Sequence, residues 1–270
     1  MAEKKKTGRK KGKSTSGSRS VNVYSLDGKV KGKVELPVVF TTPFRPDLIR
    51  RSVVSAQANR RQIYGPSPEA NMRHAVSTWG KGRGVARVQR LTQGRRAAES
   101  PNNVGGRRAH PPKLDHELGK KINRKEKRLA RTSALAACAN EEMVRKRGHR
   151  FKKGITLPVV VDDELENMNR SSHVLDFLGT IGLDDDIFRA KNGIHERAGR
   201  GKMRGRRLRR PRSLLVIASE GSPVLKGALN LPGINTTTPK NLNTENLAPG
   251  GDPGRLLLIS KKALNELGGE

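Results

Sequence analysis

The chain has a single cysteine, few aromatic residues, few acids beside its many bases, and no long apolar run. Each shortage removes a class of function. Cys138 alone can form no intramolecular disulfide and excludes a cysteine-rich zinc site. It lies within SALAACAN, on an expected helix, and reads as a buried small apolar residue of an intracellular chain. No segment reaches the ~20 apolar residues that span a bilayer. The basic start, MAEKKKTGRKKGKSTSGSRS, is not followed by the apolar stretch of a signal peptide. No membrane partner is expected. Aromatic residues make up 3% of the chain, too few for a platform that stacks unpaired bases. His74, His110, His116, His149, His173 and His195 show no metal-ligand spacing, no G-x-S-x-G elbow occurs, and Cys138 has no evident partner histidine. No catalytic residue, cofactor or metal is expected.

What is present is positive charge. Among 270 residues, 56 Lys and Arg face 25 Asp and Glu, a net charge of +31. Self-repulsion on that scale works against a compact state unless a polyanion neutralises it. Nucleic acid is the fitting partner, because phosphates release counterions when basic groups replace them. The charge is also segregated. Residues 66–113 carry ten Lys or Arg against Glu69 and Glu99, and residues 189–212 carry eleven against Glu196. Residues 120–153 carry thirteen against Glu126, Glu141 and Glu142, whereas 154–188 are net acidic by seven and 213–270 are neutral. The periodic apolar patterns lie in the acidic and neutral parts.

Those patterns define the expected elements. VNVYSL at 21–26 reads as a strand stopped by Asp27-Gly28. Pro46 and Asp47 open a helix with apolar positions Leu48, Ile49, Val53, Ala56 and Ile63, ending at Gly65. Residues 123–147 read as one helix with Ile122, Leu129, Ala136, Ala137 and Val144 apolar and Gly148 as terminator. ITLPVVVDDE is a buried strand of parallel-sheet type. SSHVLDFLGTIG is a helix with a Ser cap, and DDIFRAK is a short one. Further on, the strands LLVIAS, GINTTT and RLLLIS alternate with helices at SPVLKGALN, LNTENLAP and KKALNEL. The alternation predicts an α/β fold, a mainly parallel sheet flanked by helices. The globular part is expected at 21–65 and 120–270, with 1–20 a disordered basic tail. Residues 66–119 form a long Arg/Gly-rich loop without elements of its own. Run out and back at ~3.3 Å per residue, roughly 23 residues each way cap its reach near ~75 Å. Its tip would then fall near Val88 to Gly94.

Apparent chemical motifs have plainer readings. TGRKKGKS at 7–14 is one residue short of a phosphate-binding loop and has no strand before it. The glycines of WGKGRGV at 79–85 do not have dinucleotide-loop spacing; they let backbone approach RNA or fit a narrow space. Asp162, Asp163, Glu164 and Glu166, like Asp184, Asp185 and Asp186, sit where helices begin and favour the helix dipole rather than a metal. Trp79 either stacks on a base or anchors the root of its loop. By contrast AGRGKMRGRRLRRPRS at 198–213 lacks acidic relief and feeds directly into LLVIAS, which marks a nucleic-acid surface.

VNVYSLDG, PFRPDLIRRSVVSAQANRRQIYG, WGKGRGVARV, RRAHPPK, SALAACA, RGH, LPVVVDD, GRGKMRGRRLRRPRSLLV and NTENLAPGGDPGRL together resemble the large-subunit ribosomal protein number four family. The likeness covers nearly the whole chain, and the length matches the archaeal type, since eukaryotic members usually carry a long C-terminal extension. The basic N-terminal tail has no counterpart in the pattern. The resemblance implies a structural constituent of the cytoplasmic large subunit that binds ribosomal RNA and aids subunit assembly. Its loop would line the polypeptide exit tunnel, beside large-subunit protein number twenty-two and the nascent polypeptide. It places Arg73, Lys81, Arg83, Arg87, Arg90, Arg95, Arg96, Arg107, Arg108 and Lys113 of the loop on RNA. Arg200, Lys202, Arg204, Arg206, Arg207, Arg209 and Arg210 would bind RNA where the globular part docks. Gly82, Arg83, Gly84 and Arg87 are the tunnel-lining candidates. Two other classes remain open from the residues alone, a sequence-independent DNA-binding protein and an α/β RNA-modifying enzyme. The first would present a helix or ribbon; the second needs a Gly-rich cofactor loop after a strand, which neither LLVIASEGSP nor VVVDDELE supplies.

Overall fold

The computed structural model describes residues 19–268. The tail read at 1–20, TGRKKGKS included, therefore lies outside the described residues apart from Arg19 and Ser20. The chain divides into two units. One runs to Ala56 and resumes at Lys121, and the other is Gln57–Lys120.

In the first unit β1 (Ser20–Tyr24) pairs antiparallel with β2 (Val30–Glu35). No strand was expected at β2. Its VKGKVE is almost wholly exposed, and its lysines guard a sheet edge instead of filling a core. α1 (Pro46–Asn59) stops short of the expected Gly65, and Ile63 is exposed. The second unit contributes β3 (Val76–Ser77) and β4 (Arg90–Leu91). The single helix expected over 123–147 is in fact α2 (Arg124–Cys138) and α3 (Glu141–Lys146). Asn140 breaks it, because its side chain accepts the Glu142 N–H at 3.0 Å and starts a new helix. Then come β5 (Val159–Val161), α4 (Ser171–Ile181) and α5 (Asp184–Asn192). The Ser cap expected for α4 does not form: Arg170 holds the cap position and makes no side-chain bond there. β6 (His195–Glu196) and β7 (Leu208–Arg209) form a small ribbon. The rest alternates as read, with β8 (Leu215–Ile217), α6 (Val224–Leu229), β9 (Asn235–Thr237), α7 (Thr244–Leu247), β10 (Leu257–Ser260) and α8 (Lys261–Gly268).

The main sheet runs β2-β1-β5-β10-β8-β9, parallel throughout except for β1 with β2. Successive side chains of a strand point to opposite faces, and both faces are covered. Val160, Leu215, Ile217 and Ile259 pack with Ile49, Leu135, Leu247 and Leu264. Val161, Leu214, Val216 and Leu258 pack on the other face with Phe177, Leu178, Ile187 and Val224. Cys138 belongs to the first of these cores, where burial pushes its thiol up to about 11 and keeps it unreactive. In open α/β sheets the crevice beyond the carboxyl ends of the strands is where ligands sit. Here that edge is used up internally. Glu166 Oε1 accepts from Ser219 N–H at 2.9 Å and Ser260 Oγ at 2.6 Å, and Asp163 accepts the Lys262 N–H at 2.7 Å.

The second unit is not devoid of elements, as the sequence had led one to expect. Val76 faces Leu91, Ser77 faces Arg90, and a further antiparallel bridge joins Arg90 to Ala97. The chain thus turns twice, broadly over 78–89 and tightly between Leu91 and Arg96. This corrects the single tip expected near Val88 to Gly94, because pairing of Ser77 with Arg90 places the main turn earlier. The unit has no interior. From 59 to 120 no residue is buried.

Candidate nucleic-acid interface

Within the second unit, the 78–89 turn carries Lys81, Arg83 and Arg87, all exposed. Gly80, Gly82 and Gly84 have φ of +74°, +77° and +64°, and a Cβ on any of them would meet nothing. Glycine is needed there for backbone conformation and not for space. Arg90 behaves differently. Its guanidinium donates to Arg95 O at 2.7 Å and Ala86 O at 3.3 Å, and lies 5.3 Å from the Trp79 ring centroid. Both residues brace the root of the turn, so the anchoring role for Trp79 is the one the geometry favours. Arg73 pairs with Glu69 at 3.6 Å. Arg95, Arg96, Arg108 and Lys113 are exposed and Arg107 is partly buried; Arg107 and Arg108 flank a shallow depression with Pro68, Asn71 and Met72.

In the first unit, Arg200, Lys202 and Arg204 lie on a 3-10 turn (Arg200–Arg204) between β6 and β7. With Arg206 they are exposed, while Arg207 lies 3.6 Å from Glu196. Arg209 and Arg210 are set apart from them. They reach a cleft of about 720 Å³ that opens beyond the amino ends of β8 and β10, opposite the edge filled by Glu166. Sequence reading did not bring the rest of its basic lining together: Arg50 from α1, Lys146 and Arg147 at the end of α3, Arg189 from α5, and Arg212 before β8. Asp252 is the one acid among the described lining residues.

A buried network fixes this lining. Asp186, fully buried, accepts from His149 Nδ1 at 3.0 Å and Ser213 Oγ at 2.7 Å on one oxygen. Its other oxygen accepts from Arg150 N–H at 3.0 Å and Arg189 Nε at 2.9 Å. Burial by itself would raise the Asp186 carboxyl, but these donors outweigh it and hold the group well below the usual carboxylate range. Burial lowers His149, and the bond to Asp186 only partly offsets that, so the ring is neutral at pH 7. Arg189 Nη2 donates to Arg212 O at 2.8 Å, Arg212 Nη1 to Asn235 Oδ1 at 3.1 Å, and Arg147 to Pro249 O at 2.8 Å. Beneath them Arg255, only 1% exposed, donates to Ser213 O, Asn246 O and Asn235 Oδ1 at 2.8, 2.9 and 2.8 Å. Burial brings it down to about 9, so it too stays charged at neutral pH. Gly233, at φ +74°, lets this layer close: a Cβ there would lie 2.6 Å from Pro211 O.

The network makes stability fall with acidity in a defined order. A buried group whose folded pKa is depressed stabilises the fold above its unfolded pKa and loses that contribution as pH falls. For His149 the loss begins below its unfolded value of about 6.5, and for Asp186 it begins below about 3.9. Urea midpoints should therefore drop between pH 7 and pH 5, and His149→Gln should flatten that drop. A His149→Gln profile parallel to the parent's would assign the loss elsewhere.

A second basic groove runs along α2, where Arg124, Lys127, Arg128 and Arg131 face Lys240, Asn241 and Asn243. Its signal was the charge of 120–153; no individual residue of it stood out in sequence.

The family model of the ribosomal protein L4/L1 family matches residues 34–270. The chain is 47% identical to large ribosomal subunit protein uL4 of Methanococcoides burtonii, over 93% of this chain and 98% of the relative. It is 48% identical to the protein of the same name from Archaeoglobus fulgidus, over 91% and 97%, and 46% identical to that of Halorubrum lacusprofundi, over 92% and 98%. The resemblance carried by VNVYSLDG, WGKGRGVARV and GRGKMRGRRLRRPRSLLV thus extends over the chain as a whole, and the chain belongs to the ribosomal protein L4/L1 family.

Proposed function

We propose that this chain is a structural, non-catalytic component of the large ribosomal subunit in the cytoplasm, held in the particle by basic surfaces that bind ribosomal RNA. The observation that carries the RNA reading is the cleft of the first unit, where basic groups from four separate segments converge with Asp252 as the only acid among the described lining residues. Such convergence costs self-repulsion unless a polyanion occupies it. The enzyme reading loses its usual place in the fold, since the carboxyl edge of the sheet is committed to Glu166 and Asp163.

The second unit plays a separate part in the same proposal. Without an interior it cannot offset the cost of ordering its chain, and RNA supplies what it lacks. Residues 66–119 become ordered along phosphates, pin RNA helices together during assembly, and present Gly82, Arg83, Gly84 and Arg87 to the exit tunnel. There they meet large-subunit protein number twenty-two and the nascent polypeptide.

Sedimentation of a cell lysate in low salt, with and without ribonuclease, tests the whole. The protein should run with large subunits and move to the top of the gradient after digestion. A position at the top in both cases would reject the proposal. Deletion of 72–110 should leave the first unit folded, by circular dichroism and cooperative melting, while mature large subunits are depleted. Loss of the cooperative transition would instead make the segment structural.

A further inference from the structure

We infer that the cleft lined by Lys146, Arg147, Arg189, Arg209, Arg210 and Arg212 is a pre-set seat for one RNA backbone phosphate group and its neighbour, distinct in kind from the rest of the basic surface. This rests on the RNA-binding reading above and goes beyond it by naming where affinity is concentrated.

The distinction lies in how the cations are held. Arg147, Arg189 and Arg212 each give part of the guanidinium to the protein, to Pro249 O, to Asp186 and Arg212 O, and to Asn235 Oδ1. A guanidinium has five donors in a rigid plane, so each keeps others for a ligand while its rotamer is already fixed. Asp186, fully buried and accepting from four groups, ties the Arg189 and Arg150 segments to Ser213, at the start of the sheet. Much of the ordering cost is therefore met before the ligand arrives. The side chains of Lys146, Arg209 and Arg210 are exposed and, among the described residues, have no ionic or hydrogen-bonded partner, so they are available to close over the anion. Planar guanidinium forks converging on a concave site match phosphate oxygens, which they bind in pairs. Arg200 and Arg204, between β6 and β7, are exposed outside the cleft and away from the fixed guanidinia of Arg147, Arg189 and Arg212, so a phosphate contact there gains nothing from a pre-set neighbour. The seat has no aromatic wall besides Phe44, so it grips the backbone and leaves the base unread.

The test compares two double variants of the full chain that remove equal charge. Arg209→Ala/Arg210→Ala empties the rim of the cleft, and Arg200→Ala/Arg204→Ala strips the neighbouring turn. Neither pair supports the buried network, and melting curves check that both variants fold. Binding to purified large-subunit ribosomal RNA is measured by filter retention across a salt series. Both pairs should lower the salt slope by a similar amount, about 1.4 to 1.8 for two contacts. The cleft pair should also lose at least ~10-fold more affinity than the turn pair at every salt concentration. Arg209→Lys/Arg210→Lys should recover the slope but only part of the affinity, because charge returns without the fork. Equal losses in the two alanine pairs, or full recovery by lysine, would overturn the seat and leave RNA binding standing. Failure of the unsubstituted chain to retain the RNA would remove both readings together.

Discussion

Asp186→Asn is expected to lower the stability of the first unit by about 3–5 kcal/mol, the cost of removing one partner from a buried charged network. The change is nearly isosteric, so packing is spared and the effect isolates the acceptors. Both carboxylate oxygens are in use, one by His149 and Ser213 and the other by Arg150 N–H and Arg189. An amide keeps one acceptor oxygen and turns a donor toward the other pair, so two protein donors must face a third. Arg189 is partly exposed and water softens its share, whereas His149 and Ser213 have no such relief. For a urea m-value of about 1–3 kcal/mol per molar, the midpoint should fall by at least ~1 M. A shift below ~0.3 M would show that the four donors find other partners and that the network does not fix the cleft.

RNA binding by the whole chain should be steeply sensitive to salt. If ~8 phosphates are neutralised, the slope of log affinity against log salt is roughly −6 to −7. A rise from about 50 to about 200 mM salt would then weaken binding by roughly 4,000-fold or more. The contacts available exceed that requirement. The cleft, the groove along α2 and the exposed arginines of the two turns present more cations than eight phosphates need, so the slope also reports how many engage at once. A slope near zero in a filter-binding series would mean that the charge is not the means of binding, and a different kind of recognition would have to be sought.

How much of this was legible in the sequence depended on whether the signal was local. VVV, LLVI and LLLIS are runs of β-branched and aliphatic residues that only a doubly covered sheet explains, and each proved to be a parallel strand. β2 escaped because an edge strand with lysines reads like a charged loop. Asn140 escaped because the apolar pattern of 123–147 continues through it, and only a side-chain bond to the backbone shows where one helix ends. The site divides the same way. The run at 198–213 announced itself by density of charge, so Arg209 and Arg210 were found. Arg50, Arg147 and Arg189 belong to three helices or their ends, are separated by long stretches of chain, and meet only through the fold. Arg255 sits in front of a core strand as a lone charge, and nothing in RLLLIS tells that it lies beneath the starts of β8 and β9. His149 gave no metal spacing and was set aside; its partner Asp186 lies far away in sequence, within an acidic run that does open a helix as expected but gave no sign of the buried acceptor in it.

The absence of any buried residue from 59 to 120 bears on the supply of the protein as much as on its placement. A segment rich in arginine and without an interior offers a protease a cleavage site at every few residues until RNA shields it. Copies made in excess of newly transcribed RNA would be nicked first within this segment, and copies that find RNA would survive. Turnover would then match the number of intact chains to the number of particles under construction, with no sensor beyond the lack of a hydrophobic interior.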